Sequence, residues 1–236
     1  MKNTNIIIKA FPMVAILLML AMFGSCQKDD EVIFVEYTGV ENGYAYVDLG
    51  LSVKWATCNV GANNPEDYGD YFAWGETTTK DTYSWSTYKY CNGSSSTLTK
   101  YCNNSSYVNN GFTDNKTQLE LSDDAARANW GGSWRMPTDA EKTELRTECT
   151  WTWTTQNGKN GYTVTSKSNG NSIFLPAAGY RHDGSLYDAG GDGIYWSSSL
   201  NTGSPYFAWG VYFFSGNVDR YYDYRYCGQS VRPVCP

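Results

Sequence analysis

Apolar residues in this chain recur mostly at strand spacing and only briefly at helical spacing. From Tyr44 the sequence runs YAYVDLGLSVKWATCNVGA, with apolar and aromatic residues loosely alternating, which predicts one or two strands ending near Val60. NNPEDYGDY is turn chemistry, with Pro65 and Gly69 as breakers, and YFAWGE predicts a short buried strand. Later, WTWTTQ alternates, NGKNG marks a turn, and YTVTSK and SIFLPA around SNGN read as a hairpin. IYWSSS, FAWGVYFF and QSVRPV complete the β series. Residues 76–116 break the pattern. They are polar, rich in Ser, Thr and Tyr and low in aliphatics, which predicts a long loop or meander.

Two segments read as helices. In Leu121–Ala128, Ser122 offers an N-cap with acids in the first turn, and Gly131-Gly132 ends the run. Thr138-Asp139-Ala140-Glu141 is a capping box behind Pro137, with Leu145 and Cys149 on one inward face, predicting a helix from about Asp139 to Thr147. No long-period repeat is visible. The pattern predicts one α+β domain, two helices set among short antiparallel strands.

The first residues are targeting sequence. Lys2 and Lys9 precede an apolar run, Phe11 to Phe23, that is too short to span a bilayer as a stable helix. Phe23-Gly24-Ser25-Cys26 resembles the bacterial lipobox, which implies cleavage before Cys26 and its lipidation; an ordinary secretory signal cut near Ser25 is the alternative. Gln27-Lys28-Asp29-Asp30 resembles the export signal that some Bacteroidota-type bacteria place after the lipid cysteine, and otherwise reads as a charged linker. The expected organisation is a signal peptide over 1–25, a lipid-anchored tether over 26–42 and one domain over 43–236. The expected location is the outer membrane, facing outward, with the membrane contacted through the lipid anchor only.

Composition narrows the function classes. The 236 residues are 41% hydrophobic and 16% aromatic, enough for a substantial core. The formal charge is -6; without Lys2 and Lys9 it becomes -8, from 16 basic against 24 acidic side chains. An acidic, tyrosine-rich chain argues against nucleic acid, which needs a basic stripe. Beyond Cys26 lie Cys58, Cys91, Cys102, Cys149, Cys227 and Cys235. In an oxidising compartment these are candidates for pairing. A Cys91–Cys102 bridge would staple the Gly/Ser/Thr-rich segment between them and stabilise by roughly 2–3 kcal/mol. The other four leave three pairings open. No CxxC is present, and the one histidine, His182, reads as a solvated loop residue, so no metal site is expected from these residues. Asp183, Asp188 and Asp192 in a Gly-rich segment form a candidate calcium set. No cofactor is otherwise expected.

Six ordered fragments carry a family resemblance: DLGLSVKWATCNVGA, YGDYFAWGE, AARANWGGSWRMPTDAEKTEL, FLPAAGYR, YWSSS and GQSVRPV. Together, from about residue 43 to the C-terminus, they resemble the FISUMP family, the "major paralogous domain" of fibrolytic and gut bacteria. The resemblance implies a C-type-lectin-like fold, shared with formylglycine-generating enzymes, whose N- and C-terminal strands pair. WRMPTDAE is similar to a stretch of that broader superfamily. On this reading Trp134, Met136 and Pro137 anchor a helix start, Trp55, Trp74 and Trp196 are core, and Arg232 is a buried, paired arginine joining the termini. Formylglycine-generating enzymes use a copper-handling cysteine pair and calcium sites. No such pair can be placed here, and no Ser/His/Asp set is credible. The expectation is therefore a non-enzyme, with a formylglycine-generating-enzyme-like oxidase as the alternative. The Glu-Pro-Asn or Gln-Pro-Asp signature of sugar-binding lectins does not occur either; Asn64-Pro65-Glu66 is a weak reversed echo of it.

The candidate site is the stretch NVDRYYDYRYCGQSVRPV. On a strand, Tyr222, Tyr224 and Tyr226 would share one face, and Tyr221, Asp223 and Arg225 the other. Tyrosine offers stiff, amphipathic contact area at low entropy cost, and Asp and Asn add adaptable hydrogen bonds. Tyr206, Asn217, Asp219, Tyr221, Tyr222, Asp223, Tyr224 and Tyr226 are therefore the candidate ligand-binding residues, for a protein or polysaccharide. A structural envelope component without a soluble ligand is the rival reading. A further one follows from resemblance to the variable proteins of diversity-generating retroelements, because Asn217, Asp219, Tyr221, Tyr222, Asp223, Tyr224, Tyr226 and Cys227 belong to the set reachable from Asn codons.

Overall fold

The chain leaves the fold in the sheet through which it enters it. The computed structural model describes residues 37–236; the apolar run, Cys26 and Gln27–Asp30 lie outside the described residues. β1 (Gly39–Glu41) and β2 (Tyr44–Val47) form a hairpin, β3 (Lys54–Ala56) pairs with β2, and β14 (Val234–Cys235) pairs antiparallel with β3. The first strand thus begins inside the range expected to be tether. Pairing of the N- and C-terminal strands is present, with Val234 opposite Trp55.

The larger sheet has five strands. β4 (Tyr71–Phe72) lies at one edge, followed by β13 (Gln229–Ser230), β10 (Asp192–Leu200), β11 (Phe207–Phe214) and, at the other edge, β12 (Asn217–Tyr224). A three-stranded antiparallel sheet, β5 (Cys149–Gln156), β6 (Lys159–Ser166) and β7 (Ser172–Pro176), and a small hairpin, β8 (Tyr180–His182) with β9 (Ser185–Tyr187), complete the strands. Pairing is antiparallel except between β10 and β13, so with its two helices the molecule is an α+β fold. The NGKNG turn is tighter than expected. Asn157 (φ 46°) and Gly158 (φ 78°) alone make it, as a two-residue loop that takes positive φ at both positions, and Lys159 already pairs with Gln156.

Both helices are set by their caps. α2 (Asp139–Glu148) starts in the capping box that the sequence marks: Thr138 Oγ1 accepts from Glu141 N at 3.2 Å and Glu141 Oε2 from Thr138 N at 2.7 Å. Arg135 donates to the same carboxylate at 2.8 Å. α1 (Ala125–Trp130) is capped by Asp124, not Ser122, which sits in a preceding 3-10 turn. The buried Asp124 carboxylate needs partners at both oxygens. It accepts from Arg127 N at 3.0 Å and Met136 N at 2.8 Å, fastening α1 to the approach of α2.

Two cores result. One gathers Trp74, Trp134, Trp196 and Phe72; the other gathers Trp55, Leu145, Tyr195 and Phe213. Trp55, Trp74, Trp134 and Trp196 are fully buried, as expected. Between them Arg232 is 0% exposed. Its guanidinium donates to Asn59 Oδ1 (2.9 Å), Ala56 O (3.1 Å), Thr57 O (2.8 Å) and Phe174 O (2.9 Å), and no carboxylate meets it. Lys142 on α2 is also buried, 3% exposed. Its Nζ has no hydrogen-bond partner and lies 5.5 and 5.2 Å from the Trp55 and Tyr195 rings. Burial, reinforced by Arg232, lowers its pKa to about 7.

All six described cysteines are free thiols, which corrects the expected Cys91–Cys102 bridge. Cys91 Sγ donates to Trp85 O (3.1 Å) and Cys102 Sγ to Asn104 O (3.2 Å), each within its own loop. The segment between them is held by its own turns instead: Asn92 N donates to Thr97 O and Leu98 N to Tyr107 O, while Leu98 fills a small apolar cluster with Cys102 and Val108.

Two stability outcomes follow. Arg232→Met strands four buried acceptors and is expected to lower unfolding free energy by at least about 3 kcal/mol in urea titration. Lys142 binds a proton less readily folded than unfolded, so parent stability rises with pH between about 7 and its ordinary 10.5. Lys142→Met should therefore unfold at higher urea than the parent near neutrality, by roughly a few kcal/mol, with the gap closing toward about pH 10. A gap independent of pH would contradict the buried, depressed amine.

Candidate functional site

β12 is paired with β11 over its whole length, from Phe207 opposite Tyr224 to Phe214 opposite Asn217. Side chains therefore alternate between two faces. Val218, Arg220, Tyr222 and Tyr224 share one face with Phe213, Val211, Trp209 and Phe207; Asn217, Asp219, Tyr221 and Asp223 lie on the other with Phe214 and Tyr212. On the first face Val218 is half-buried and the residues after it are exposed. Val218 packs on the Phe213 core. Arg220 makes a double contact to Asp139 of α2 (Nε–Oδ1 3.0 Å, Nη2–Oδ2 2.8 Å) and covers the Trp209 ring at 3.3 Å. Beyond that clamp Tyr222 and Tyr224 are 46% and 40% exposed.

These two tyrosines belong to a continuous aromatic strip. Trp209 meets Tyr222 edge-on at 5.4 Å, Tyr222 meets Phe207 at 4.9 Å, and Phe207 meets Tyr224 at 4.7 Å and Tyr206 at 4.4 Å. Tyr206 continues to Tyr107 at 5.1 Å, and Tyr224 stacks on Tyr226 at 5.4 Å. Trp85 stands edge-on to both Tyr224 (6.1 Å) and Tyr226 (4.9 Å). Such offset and edge contacts stabilise each pair by about 0.5–1.5 kcal/mol beyond area burial, so the strip is stiff before any ligand arrives.

The residue after the strand fixes this geometry. Arg225 is fully buried between Trp74 and Tyr88, with its guanidinium carbon 4.9 and 5.2 Å from their rings. It donates to Tyr88 Oη (2.8 Å), Tyr101 O (3.1 Å), Pro205 O (2.9 Å) and Lys100 O (3.0 Å). The irregular 76–116 segment is thereby tied to the end of β12, and Trp85 and Tyr107 are carried to the strip.

Several site expectations are corrected. Arg225 does not join Tyr221 and Asp223 on an exposed face; it is fully buried and donates four hydrogen bonds inside. Tyr226 is past the strand end and 7% exposed, its hydroxyl 2.8 Å from His182 Nε2. His182 is not a solvated loop residue but the end of β8, with Nδ1 3.2 Å from Asp183 Oδ2. Cys227 is buried too, so a diversified surface would end at Tyr224. The remaining candidates divide. Tyr206, Tyr222 and Tyr224 come together in the strip. Asn217, Asp219 and Tyr221 sit on the opposite face, where Asn217 Nδ2 donates to Asp219 Oδ2 at 2.7 Å. Asp223 is partly buried; its oxygens accept from Tyr224 N (2.7 Å) and Gln229 Nε2 (2.9 Å). Trp85, Tyr107, Phe207 and Trp209 were missed as site residues. The signal for two of them was the aromatic density of the polar segment DTYSWSTYKY and of SSYV.

Burial raises the Asp223 carboxyl pKa and pushes the Tyr221 phenol, next to Asp223, up to about 12. Burial also places the Tyr226 phenol well above its ordinary value, so it acts as a neutral hydrogen-bonding group. Among the described residues no group of three or more His, Cys, Asp or Glu side chains is placed to hold a metal. Asp183 is engaged by His182, and Asp192 accepts from Tyr212 Oη at 2.9 Å. No helix among the described residues is long and apolar enough to cross a membrane. No family model matches the chain, and the search of curated proteins and of solved structures returned no match.

Tyr226→Phe is expected to lose about 1 kcal/mol of stability through the His182 contact and leave ligand binding unchanged. Weakened binding at unchanged stability would return Tyr226 to the recognition surface.

Proposed function

We propose that this chain is a non-enzymatic, adhesin-like binding module of the bacterial surface, recognising a protein or glycan through the aromatic strip around Tyr206, Tyr222 and Tyr224. The observation that carries the reading is a strip of mutually packed aromatic rings, open to solvent at Tyr222 and Tyr224, whose ends are held by Arg220 and Arg225. Aromatic side chains prearranged in this way contribute most of the energy in binding sites and lose little entropy on contact. The FISUMP resemblance and the C-type-lectin-like fold it implies belong to the same proposal, supported by the paired terminal strands and by the capping box in WRMPTDAE. So does the lipid anchor at Cys26, which would hold the module at the outer face of the outer membrane.

The test is binding of the full chain to a broad glycan array and a panel of surface proteins, with and without a calcium chelator. A ligand is expected whose affinity falls by about 2 kcal/mol or more in the Tyr222→Ala/Tyr224→Ala variant, at unchanged thermal stability. Loss of signal with chelator would assign calcium to the site. Silence on both panels from a folded protein would instead favour a structural envelope role.

A further inference from the structure

β12 is an outer strand of its sheet, and its backbone has a side that β11 does not use. Arg225 N donates to Tyr206 O at 3.2 Å, one step beyond the Phe207–Tyr224 pair. In an antiparallel ladder hydrogen bonding alternates along the strand. Asn217, Asp219, Tyr221 and Asp223 therefore bond inward to β11, and Val218, Arg220, Tyr222 and Tyr224 direct their N–H and C=O groups outward. Tyr224 is already satisfied, its N–H by Asp223 Oδ1 (2.7 Å) and its C=O by Cys227 N (2.9 Å). Among the described residues Val218, Arg220 and Tyr222 remain, three donors and three acceptors in a row, on a stretch where residues 219–222 are all exposed.

Edges of this kind are normally blocked by proline, lysine, a bulge or a very short strand. β12 has eight residues, an unbroken register and neither proline nor lysine. Its one cation, Arg220, is held by Asp139 and Trp209.

The geometry points to strand addition at this edge: an extended segment of a partner protein, with Lys or Arg alternating with apolar or aromatic residues, would pair antiparallel with Val218–Tyr222. The inference rests on the recognition reading above and names the partner chemistry for it. The alternation follows from the two faces of β12. Asp219, exposed on one face beside Tyr221, favours a cation opposite it, and Tyr222 and Tyr224 on the other favour apolar or ring contacts. The chain's net charge of -6 adds attraction at longer range. A second copy of this chain fits poorly. The antiparallel register that joins all three open residues sets two Arg220 side chains opposite each other, and its two neighbours set Asp219 against Asp219 or Asp223.

The experiment uses the full chain in mild detergent and a short peptide alternating lysine with valine and tyrosine. Controls are the same peptide with glutamate for lysine, and a version N-methylated at alternate residues. The lysine peptide is expected to bind and to slow amide exchange at Val218, Arg220 and Tyr222. N-methylation should weaken it at least about tenfold, roughly the loss of one net hydrogen bond, and the glutamate peptide should bind more weakly still. Tyr222→Pro removes an outward N–H together with the ring and should abolish binding at retained fold, whereas Tyr222→Ala, which removes the ring alone, should only weaken it. Binding without protection of those three amides overturns strand addition while leaving the aromatic strip as a recognition surface. No binding by the folded chain, or equal binding of the glutamate peptide, overturns the proposed partner chemistry. A glycan or protein ligand sensitive to Tyr222→Ala/Tyr224→Ala would still uphold the broader function.

Discussion

A guanidinium taken out of water must have its N–H groups matched by acceptors, and this structure is organised around two that are. Arg232 is surrounded by Asn59 Oδ1 and the carbonyls of Ala56, Thr57 and Phe174. Those acceptors come from the end of β3, the segment following it and β7, so the arginine can be buried only once the entering strand, the leaving strand and the three-stranded sheet are all in place. With no carboxylate nearby, the attraction is spread over backbone dipoles, and each one lost would leave an unsatisfied group in the core. The cost of burying the charge is offset only by complete assembly, which couples distant parts of the chain into one cooperative unit.

Arg225 applies the same constraint to the aromatic strip. Its acceptors lie in the 100–101 and 205 backbone and on Tyr88, none of which belongs to a regular element. A polar segment of some forty residues with few aliphatics could not order itself by hydrophobic burial alone. Tied to a buried arginine and to aromatic edge contacts such as Tyr88–Tyr90 and Tyr90–Tyr101, it becomes a fixed wall beside β12. The stiffness of Tyr222 and Tyr224 derives from that wall and from the Arg220–Asp139 clamp.

Lys142 stands apart from these two arginines. It is buried without an acceptor, so its environment favours the neutral amine and opposes the fold near neutral pH. A small crevice bounded by Asp139, Thr143, Arg146 and Arg220 lies beside it, between α2 and the β11–β12 edge. Arg232 contributes to the lowered pKa, so the group that unites the termini also makes the lysine site less favourable.

Local chemistry made much of the fold legible from residues alone. The Thr138–Glu141 capping box, the Asn157-Gly158 turn, the YTVTSK–SIFLPA hairpin and the burial of four tryptophans follow from short-range rules: cap hydrogen bonds, positive φ, alternation and apolar area. The concentration of tyrosine and aspartate in 217–224 likewise marked a surface. What alternation could not supply was where the strand ends. β12 stops at Tyr224 because Arg225 finds its acceptors in the interior, and that turns Tyr226 inward to His182 while leaving Tyr222 and Tyr224 outside. The same limit hid Trp85 and Tyr107, which reach the strip only through contacts with residues about 100 to 140 positions away. Asp124 displaced Ser122 as the helix cap for a related reason, since its second oxygen is satisfied by Met136 in the next segment. Sequence by itself determined the elements and the aromatic, acidic composition of the β12 surface, because those depend on neighbours a few residues apart. Only the tertiary structure decided which tyrosines face solvent, because that depends on where buried donors find their acceptors.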